Sequence, residues 1–227
     1  MRLSKEAQVL CLLVLVPIGI DSFGRASQLM LLFPGLDLPP GFESLAGLLW
    51  WVLCTLVGFA LIPLLWIRWQ GLCPRDFGLR RPPLNQHLLV YPAMLAVMLP
   101  ILLYFSSDAR FRETYPFYRE AAQHLTWAAG WEVAYGMMFI ALEFFFRGFL
   151  IGALKGRYGW WAVLISTVPY FLIHHRKPLP EMLGSFPAGI ILGTLAWRTG
   201  SIWGGVLVHL GVAFTMDGVQ LLHLKGG

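Results

Sequence analysis

Apolar residues follow one another in long blocks along this chain, and short polar or Pro/Gly-rich stretches separate the blocks. A helix that crosses a bilayer needs about 20 apolar residues. Seven blocks approach that length, at about residues 7–32, 45–67, 87–105, 127–152, 159–174, 182–198 and 201–222. The pattern therefore predicts an all-α fold, a polytopic bundle of about seven transmembrane helices.

The composition agrees with this interpretation. Of the 227 residues, 57% are hydrophobic and only 13% are charged, which lies well outside the range of soluble globular domains. Nearly every long segment between the polar breaks is itself apolar, so a second soluble domain of any size does not fit. The sequence predicts a single membrane-embedded domain over residues 1–227.

Basic residues outnumber acidic ones and give the chain a formal net charge of +5. Such an excess can indicate nucleic-acid binding, but here the Lys and Arg residues lie scattered at the ends of apolar runs, as membrane orientation requires. The lipid bilayer is therefore the predicted partner, and no nucleic acid is expected. The three cysteines have no metal-ligand spacing and predict neither a disulfide framework nor a thiol site.

The fourth block carries three ionisable residues inside an apolar run, Glu132, Glu143 and Arg147. Such residues are costly at membrane depth, and they indicate a functional site with partners elsewhere. Glu143 and Arg147 share one face of a helix, where they can form an ion pair. Glu132 falls on the same stripe about three turns earlier. A purely structural salt bridge would also explain the Glu143–Arg147 pair.

Further polar residues occur in two other blocks. The fifth ends in VPYFLIHHRKPLPE, with His174, His175 and Glu181, and the seventh contains His209 and Asp217. A single buried histidine is most often a hydrogen-bonded core residue, but polar groups on three separate spans are harder to explain in this way, because each is costly without the others. We therefore expect a shared cavity between the spans that hold residues 127–152, 159–174 and 201–222.

A carboxylate and two imidazoles in one wet cavity suit hydrolysis. The carboxylate can take a proton from water, one imidazole can share that water or protonate the leaving amine, and the second can donate to the developing oxyanion. The same groups could bind Zn²⁺. However, the HExxH motif is absent, and Arg147 beside Glu143 makes a poor setting for a cation. No cofactor is therefore expected, with zinc as the alternative.

Three short motifs in this region occur in a known order. The segment Leu142-Glu143-Phe144-Phe145-Phe146-Arg147 corresponds to EExxxR, Tyr170 to His174 or Phe171 to His175 corresponds to FxxxH, and His209 begins the HxxxN or HxxxD motif. Through these motifs, residues 127–217 resemble the CPBP family of intramembrane proteases, also called the CAAX prenyl endopeptidase or Abi family.

The resemblance implies an intramembrane endopeptidase that hydrolyses a peptide bond of a lipidated or membrane-bound protein substrate, with water activated by glutamate and histidine. It implies catalytic roles for Glu143, His174 and His209 and supporting roles for Arg147, His175 and Glu181. His174 is favoured over His175 because the family's motif histidine is usually followed by the end of its helix. The resemblance also places a multi-pass protein of this kind in the plasma membrane of a prokaryote.

Two positions depart from the family's motifs. Leu142 stands where EExxxR has its first Glu, and Ala213 stands where the third motif has Asn or Asp. Glu143 could then act as the base itself, Glu181 could supply a second carboxylate, or Asp217 could replace the missing polar residue. The sequence leaves these three alternatives open.

Two other classes of function also stay open. A family member without activity would use the same cavity as a membrane scaffold or an immunity-type binding protein, and the two departures from the motifs favour this hypothesis. A small transporter would use the buried acids and histidines as a proton relay, although no inverted repeat is visible in the sequence. Peptide cleavage, partner capture and proton-coupled flux distinguish the three hypotheses.

Overall fold

The structure is a computed structural model that describes residues 3–81, 84–123 and 125–226. In this part of the chain helices dominate, and there is no β-strand beyond one isolated bridge between Leu79 and Ser201. The predicted all-α class is confirmed. The helices are α1 (Lys5–Phe23), α2 (Ala26–Leu32), α3 (Glu43–Leu56), α4 (Ile62–Trp69), α5 (Leu84–Phe105), α6 (Ala109–Thr114), α7 (Leu125–Glu143), α8 (Ile151–Tyr158), α9 (Trp161–Leu172), α10 (Leu179–Thr199) and α11 (Trp203–Gly226).

The membrane-spanning candidates match the apolar blocks of the sequence. Five helical stretches among the described residues are long and apolar enough to cross a membrane, namely Lys5–Phe23, Glu43–Trp69, Thr126–Tyr158, Leu179–Thr199 and Trp203–Leu224. Two shorter apolar helices are Leu89–Phe105 and Trp161–Leu172. These seven stretches lie, in chain order, where the sequence predicts seven blocks. The protein is an integral membrane helix bundle.

The first predicted block is divided between two helices. α1 ends at Phe23 and α2 begins at Ala26, so residues 7–32 do not form one continuous helix. At the break, Arg25 donates hydrogen bonds to the backbone carbonyl and the carboxylate of Asp21, each at 2.9 Å. The two charged residues interrupt the apolar run, and α1 ends between them.

Two of the long spans contain a π-helical segment. α3 continues through Val57–Leu61 into α4, and α7 continues through Phe144–Leu150 into α8. The two segments contact each other, because the ring of Phe59 stacks on that of Phe145 with centroids 4.7 Å apart. All seven residues of the second segment are buried. Such segments occur frequently at functional sites, and this one begins directly after Glu143.

The connector between α4 and α5 packs on the π segment of α7. Gly78, with a φ of 83°, accepts a hydrogen bond at its carbonyl from the N–H of Ile202 at 2.9 Å. A Cβ atom on Gly148 would lie 2.5 Å from the carbonyl oxygen of Phe77. Backbone therefore approaches backbone at this point, and the start of α11 is fixed beside the π segment.

α7 and α11 run antiparallel to each other. Glu143 on α7 contacts His209 on α11. Trp131, about three turns earlier on α7, contacts Asp217, about two turns later on α11. The polar residues of the two helices therefore meet at two separate levels of the bundle.

Candidate active site

Glu143 is the last residue of α7 before the π segment, and its side chain is fully buried. It lies against Gly205 of α11, where a Cβ atom would overlap Oε2 of Glu143 and stand 3.0 Å from its Cδ. The absence of a side chain at Gly205 therefore provides the space that the carboxylate occupies.

Two basic side chains approach the same oxygen of Glu143. Arg147 Nη1 lies 3.3 Å from Oε1, and His209 Nδ1 lies 2.7 Å from it. Neither approach has the direction of a hydrogen bond, and among the described residues no donor directs one at either oxygen of Glu143. The contact of Arg147 is therefore ionic and that of His209 is polar, and the carboxylate keeps its capacity to accept hydrogen bonds from water or a substrate.

His209 is the most accessible of these three side chains. Its exposed fraction is 15%, against 1% for Glu143 and 2% for Arg147. The imidazole is therefore the most accessible side chain of the three, although its Nδ1 atom is itself buried.

The guanidinium of Arg147 also faces an aromatic ring. Its Cζ atom lies 3.8 Å from the ring centroid of Tyr170 on α9. A cation over a ring face is attracted by the ring quadrupole, and the attraction is stronger when both groups are desolvated. Arg147 therefore connects the π segment to α9 while it compensates the buried charge of Glu143.

Tyr170 lies near the C-terminal end of α9, and His174 follows that end by two residues. The hydroxyl of Tyr170 lies 2.8 Å from Nε2 of His209. His174 Nδ1 donates to the backbone carbonyl of Tyr170 at 2.7 Å, and the two rings are 4.6 Å apart. His174 thus joins the site through Tyr170. We call the residues Glu143, Arg147, Tyr170, His174 and His209 the Glu143 cluster.

An aromatic row along α7 holds one face of the His209 ring. Phe139, one turn before Glu143, stacks on the imidazole with centroids 5.3 Å apart and an interplanar angle of 12°. Tyr135 contacts Phe139 at 4.6 Å between centroids, and Trp131 stacks on Tyr135 at 4.9 Å. The row therefore fixes the plane in which the imidazole lies.

The three residues predicted as catalytic, and Arg147, lie in the Glu143 cluster, but the other two supporting residues do not. His175 is exposed, and its ring accepts a hydrogen bond from Arg176. Glu181, in the first turn of α10, has its two oxygens 2.9 and 2.8 Å from the hydroxyl of Tyr115. Both residues therefore have their partners away from Glu143.

Glu181 belongs to a second polar group at the start of α10. Lys177 donates to the hydroxyl of Tyr115 at 2.8 Å and lies over the rings of Phe117 and Tyr115, at 4.1 and 4.7 Å from their centroids. Burial lowers the pKa of Lys177, and Glu181 opposes that shift. Burial raises the pKa of Tyr115 well above its ordinary value, and Glu181 acts in the same direction, so the hydroxyl stays protonated. We call Tyr115, Phe117, Lys177 and Glu181 the Lys177 cluster.

The two positions that depart from the family's motifs pack in apolar surroundings. Leu142 is 8% exposed and Ala213 is 4% exposed, and each belongs to a hydrophobic core. Asp217, the candidate replacement for the missing polar residue, accepts a hydrogen bond from Nε1 of Trp131 at 3.4 Å. Asp217 therefore lies at the other level of the contact between α7 and α11, away from His209.

Tyr170 is the member of the cluster to which the sequence analysis assigned no chemical role. It appears there as the first residue of one possible FxxxH motif, in which the pattern has Phe. The tyrosine keeps the ring and adds the hydroxyl that reaches His209. A polar atom at a motif position that is otherwise apolar was the signal that could have identified it.

The described residues contain no group of three or more His, Cys, Asp or Glu placed to hold a metal ion. In the Glu143 cluster, the guanidinium of Arg147 occupies the position beside Oε1 that a cation would need. These residues therefore do not fit a zinc centre of two His and a Glu, and no step below is assigned to a metal.

One comparison with known proteins covers the same part of the chain. Residues 122–215 match the family model of the Rce1-like proteins, described as type II CAAX prenyl endopeptidase Rce1-like. All five residues of the Glu143 cluster lie inside this segment. No curated protein and no solved structure was found to match the chain.

Proposed function

We propose that the chain is a member of the CPBP family and an intramembrane endopeptidase, because residues 122–215 match the Rce1-like family model. Its substrate is a membrane-bound or lipidated protein, in which it hydrolyses a peptide bond. The proposal needs no cofactor and no nucleic acid, and it places the protein in the plasma membrane of a prokaryote.

The observation that carries the proposal is the contact between Glu143 and His209. A buried carboxylate from one span and a partly buried imidazole from another approach to 2.7 Å, with Arg147 as the compensating charge. A buried Glu–Arg pair alone would be a structural ion pair. The added imidazole, which is also the most accessible group, makes the arrangement suitable for moving protons.

In the proposed reaction, the Glu143–His209 pair accepts a proton from water as that water attacks the carbonyl carbon of the substrate. Glu143 orients the imidazole and stabilises the imidazolium that forms, as a carboxylate does in acid–histidine pairs of other hydrolases. The imidazolium then returns the proton to the leaving amine. His174, which borders the cluster through Tyr170, is proposed to hold that residue in place, because its Nδ1–H donates to the Tyr170 carbonyl.

Cleavage of membrane-anchored peptides by the purified protein in lipid vesicles tests the proposal. The panel contains each peptide with and without a lipid chain at its C-terminus. We expect Glu143→Gln and His209→Ala to lower kcat by about 10³- to 10⁴-fold, because each removes one half of the proton-accepting pair. The matched control is Glu113→Gln, which changes an exposed glutamate of α6 in the same way.

Unchanged cleavage in both site variants would exclude this mechanism.

A second function, a membrane scaffold or immunity-type binding protein, has one observation in its favour. Leu142 and Ala213 are packed among apolar residues, so neither motif position supplies a second polar group to the cavity. Capture of a peptide without cleavage, altered by Glu143→Gln, would favour this function.

A further inference from the structure

The hydroxyl of Tyr170 has no role in the reaction as described so far, yet it contacts the central imidazole. Tyr170 is 2% exposed, and its oxygen lies 2.8 Å from Nε2 of His209. The other nitrogen of this ring, Nδ1, lies 2.7 Å from Oε1 of Glu143. Carboxylate, imidazole and hydroxyl therefore follow one another in a line of three groups.

The charges in this line decide which atom carries each proton. With the guanidinium of Arg147 at 3.3 Å, Glu143 is a carboxylate and offers only lone pairs to His209. Nδ1 must then carry the proton of the neutral imidazole, because an unprotonated nitrogen at 2.7 Å would repel the carboxylate oxygen. Nε2 is left as the acceptor, and the hydroxyl of Tyr170 donates to it.

We propose that Tyr170 is a catalytic residue that relays the proton between the reacting water and His209. The proposal rests on the hydrolytic function proposed above and specifies the path of its proton. Since the hydroxyl covers Nε2, a water molecule reaches the base through the phenol oxygen.

The relay balances in both directions. As the water oxygen bonds to the carbonyl carbon, one water O–H bond breaks and its proton passes to the phenol oxygen, while the phenol proton passes to Nε2. When the C–N bond of the substrate breaks, Nε2 returns a proton to the phenol oxygen, and the phenol gives its proton to the amine. One water and one peptide bond become a carboxylic acid and an amine, and Tyr170 is unchanged.

The surroundings of Tyr170 stabilise the negative charge that develops on the phenol oxygen during each transfer. The guanidinium of Arg147 lies 3.8 Å from the ring centroid, over the face of the ring. His174 holds the residue from the other side, through the hydrogen bond to the Tyr170 carbonyl and through the contact between the two rings. The phenol is therefore held in place and lies close to a positive charge.

The relay also relates the departures from the motifs to the chemistry of the site. The chain has Leu142 and Ala213 at positions where the family has polar residues, and Tyr170 at a position where its motif has Phe. Two polar groups are missing from the cavity wall, and one hydroxyl has been added within reach of the base.

The experiment compares Tyr170→Phe with the wild-type protein in the peptide-cleavage assay. Phe keeps the ring that contacts Arg147 and His174, so the variant removes only the hydroxyl. We expect kcat to fall by about 10²-fold, the lower end of what a positioned proton carrier contributes, with KM nearly unchanged. Tyr118→Phe is the matched control, because it removes a buried hydroxyl of a loop outside the Glu143 cluster.

A kcat of Tyr170→Phe within roughly threefold of the wild-type value would overturn the relay, since a proton carrier contributes at least about 10²-fold. Failure of the proposed function would give a different result, because the wild-type protein itself would then cleave no peptide of the panel.

The ¹⁵N resonances of His209 provide a readout that does not need activity. In the wild-type protein we expect protonated Nδ1 and unprotonated, hydrogen-bonded Nε2, and we expect the Nε2 resonance to move in Tyr170→Phe. A protonated Nε2 in the wild type, or an Nε2 resonance that the variant leaves in place, would overturn the relay.

Discussion

The Glu143 cluster and the Lys177 cluster each hold one carboxylate among basic and aromatic side chains, but they are built differently. In the Lys177 cluster, the ammonium donates to the hydroxyl of Tyr115, and that hydroxyl is within hydrogen-bonding distance of both oxygens of Glu181. In the Glu143 cluster, Arg147 and His209 approach the carboxylate without the direction of a hydrogen bond. One carboxylate is hydrogen-bonded, and the other is held by the charge of Arg147 and by the close polar contact of His209.

This difference separates a structural polar group from a reactive one. Hydrogen bonds that satisfy every member fix a geometry, and the Lys177 cluster uses them to connect the loop after α6 with the start of α10. A carboxylate held by charge keeps its lone pairs for a reacting partner. The residues around the second carboxylate come from three spans, so the fold of the whole bundle is needed to hold it.

The largest expected effect follows from removal of the charge that holds Glu143. Arg147→Met leaves a buried carboxylate without its counter-ion, and breaking a buried pair in this way costs about 3–5 kcal/mol. We expect a large fall in the thermal unfolding temperature in detergent micelles, together with loss of peptide cleavage.

The double variant Glu143→Gln with Arg147→Met is the control for this prediction. It removes both charges, so we expect it to recover much of the lost stability while it stays inactive. Equal unfolding temperatures for the wild type and Arg147→Met would show that the pair is solvated and that the comparison between the two clusters is wrong.

A smaller effect is expected from a methyl group placed on α11. In Gly205→Ala, the new Cβ atom overlaps Oε2 of Glu143 and must displace the carboxylate from His209. A displacement of about 1 Å at a catalytic group can lower kcat about 10²-fold, and we expect a fall of that size in the cleavage assay. Gly218→Ala on the same helix is the control, because a Cβ atom at that position meets nothing within 4 Å. Equal activity of the two variants would contradict the close packing of Glu143 on α11.

The two clusters also differ in how well the sequence predicts them. Glu143, Arg147 and His209 lie within apolar blocks, where each ionisable residue is conspicuous, and their motif spacing indicates a shared cavity. The order of the apolar helical stretches follows from the same blocks. These features are local, or they repeat along the chain, and a sequence displays them directly.

The Lys177 cluster depends on contacts that no local pattern encodes. Tyr115 lies 62 residues before Lys177 and 66 before Glu181, and it meets both only because the loop after α6 folds back to the start of α10. The sequence therefore left Glu181 open as a second carboxylate of the active site. Its position beside Tyr115 is decided by the path of that loop.

The sequence also did not predict the two π segments. No residue pattern in Phe144–Leu150 or Val57–Leu61 indicates the extra residue of a π turn, and the two segments are in contact only through the folded packing of their spans. The same is true of the hydroxyl of Tyr170, whose contact with His209 depends on how α9 and α11 lie beside each other.

The smallest effect is expected in the Lys177 cluster. Tyr115→Phe removes the hydroxyl that joins Lys177 to Glu181 but leaves the ring under the ammonium and leaves the two charged groups 3.9 Å apart. A hydrogen bond of this kind contributes about 1 kcal/mol, so we expect a slightly lower unfolding temperature and an unchanged kcat. Tyr118→Phe should not lower the unfolding temperature, because among the described residues its buried hydroxyl has no hydrogen-bond partner to lose. If Tyr115→Phe instead lowered kcat as strongly as the Glu143 variants do, the Lys177 cluster would take part in the reaction, and the division between a structural and a reactive group would fail.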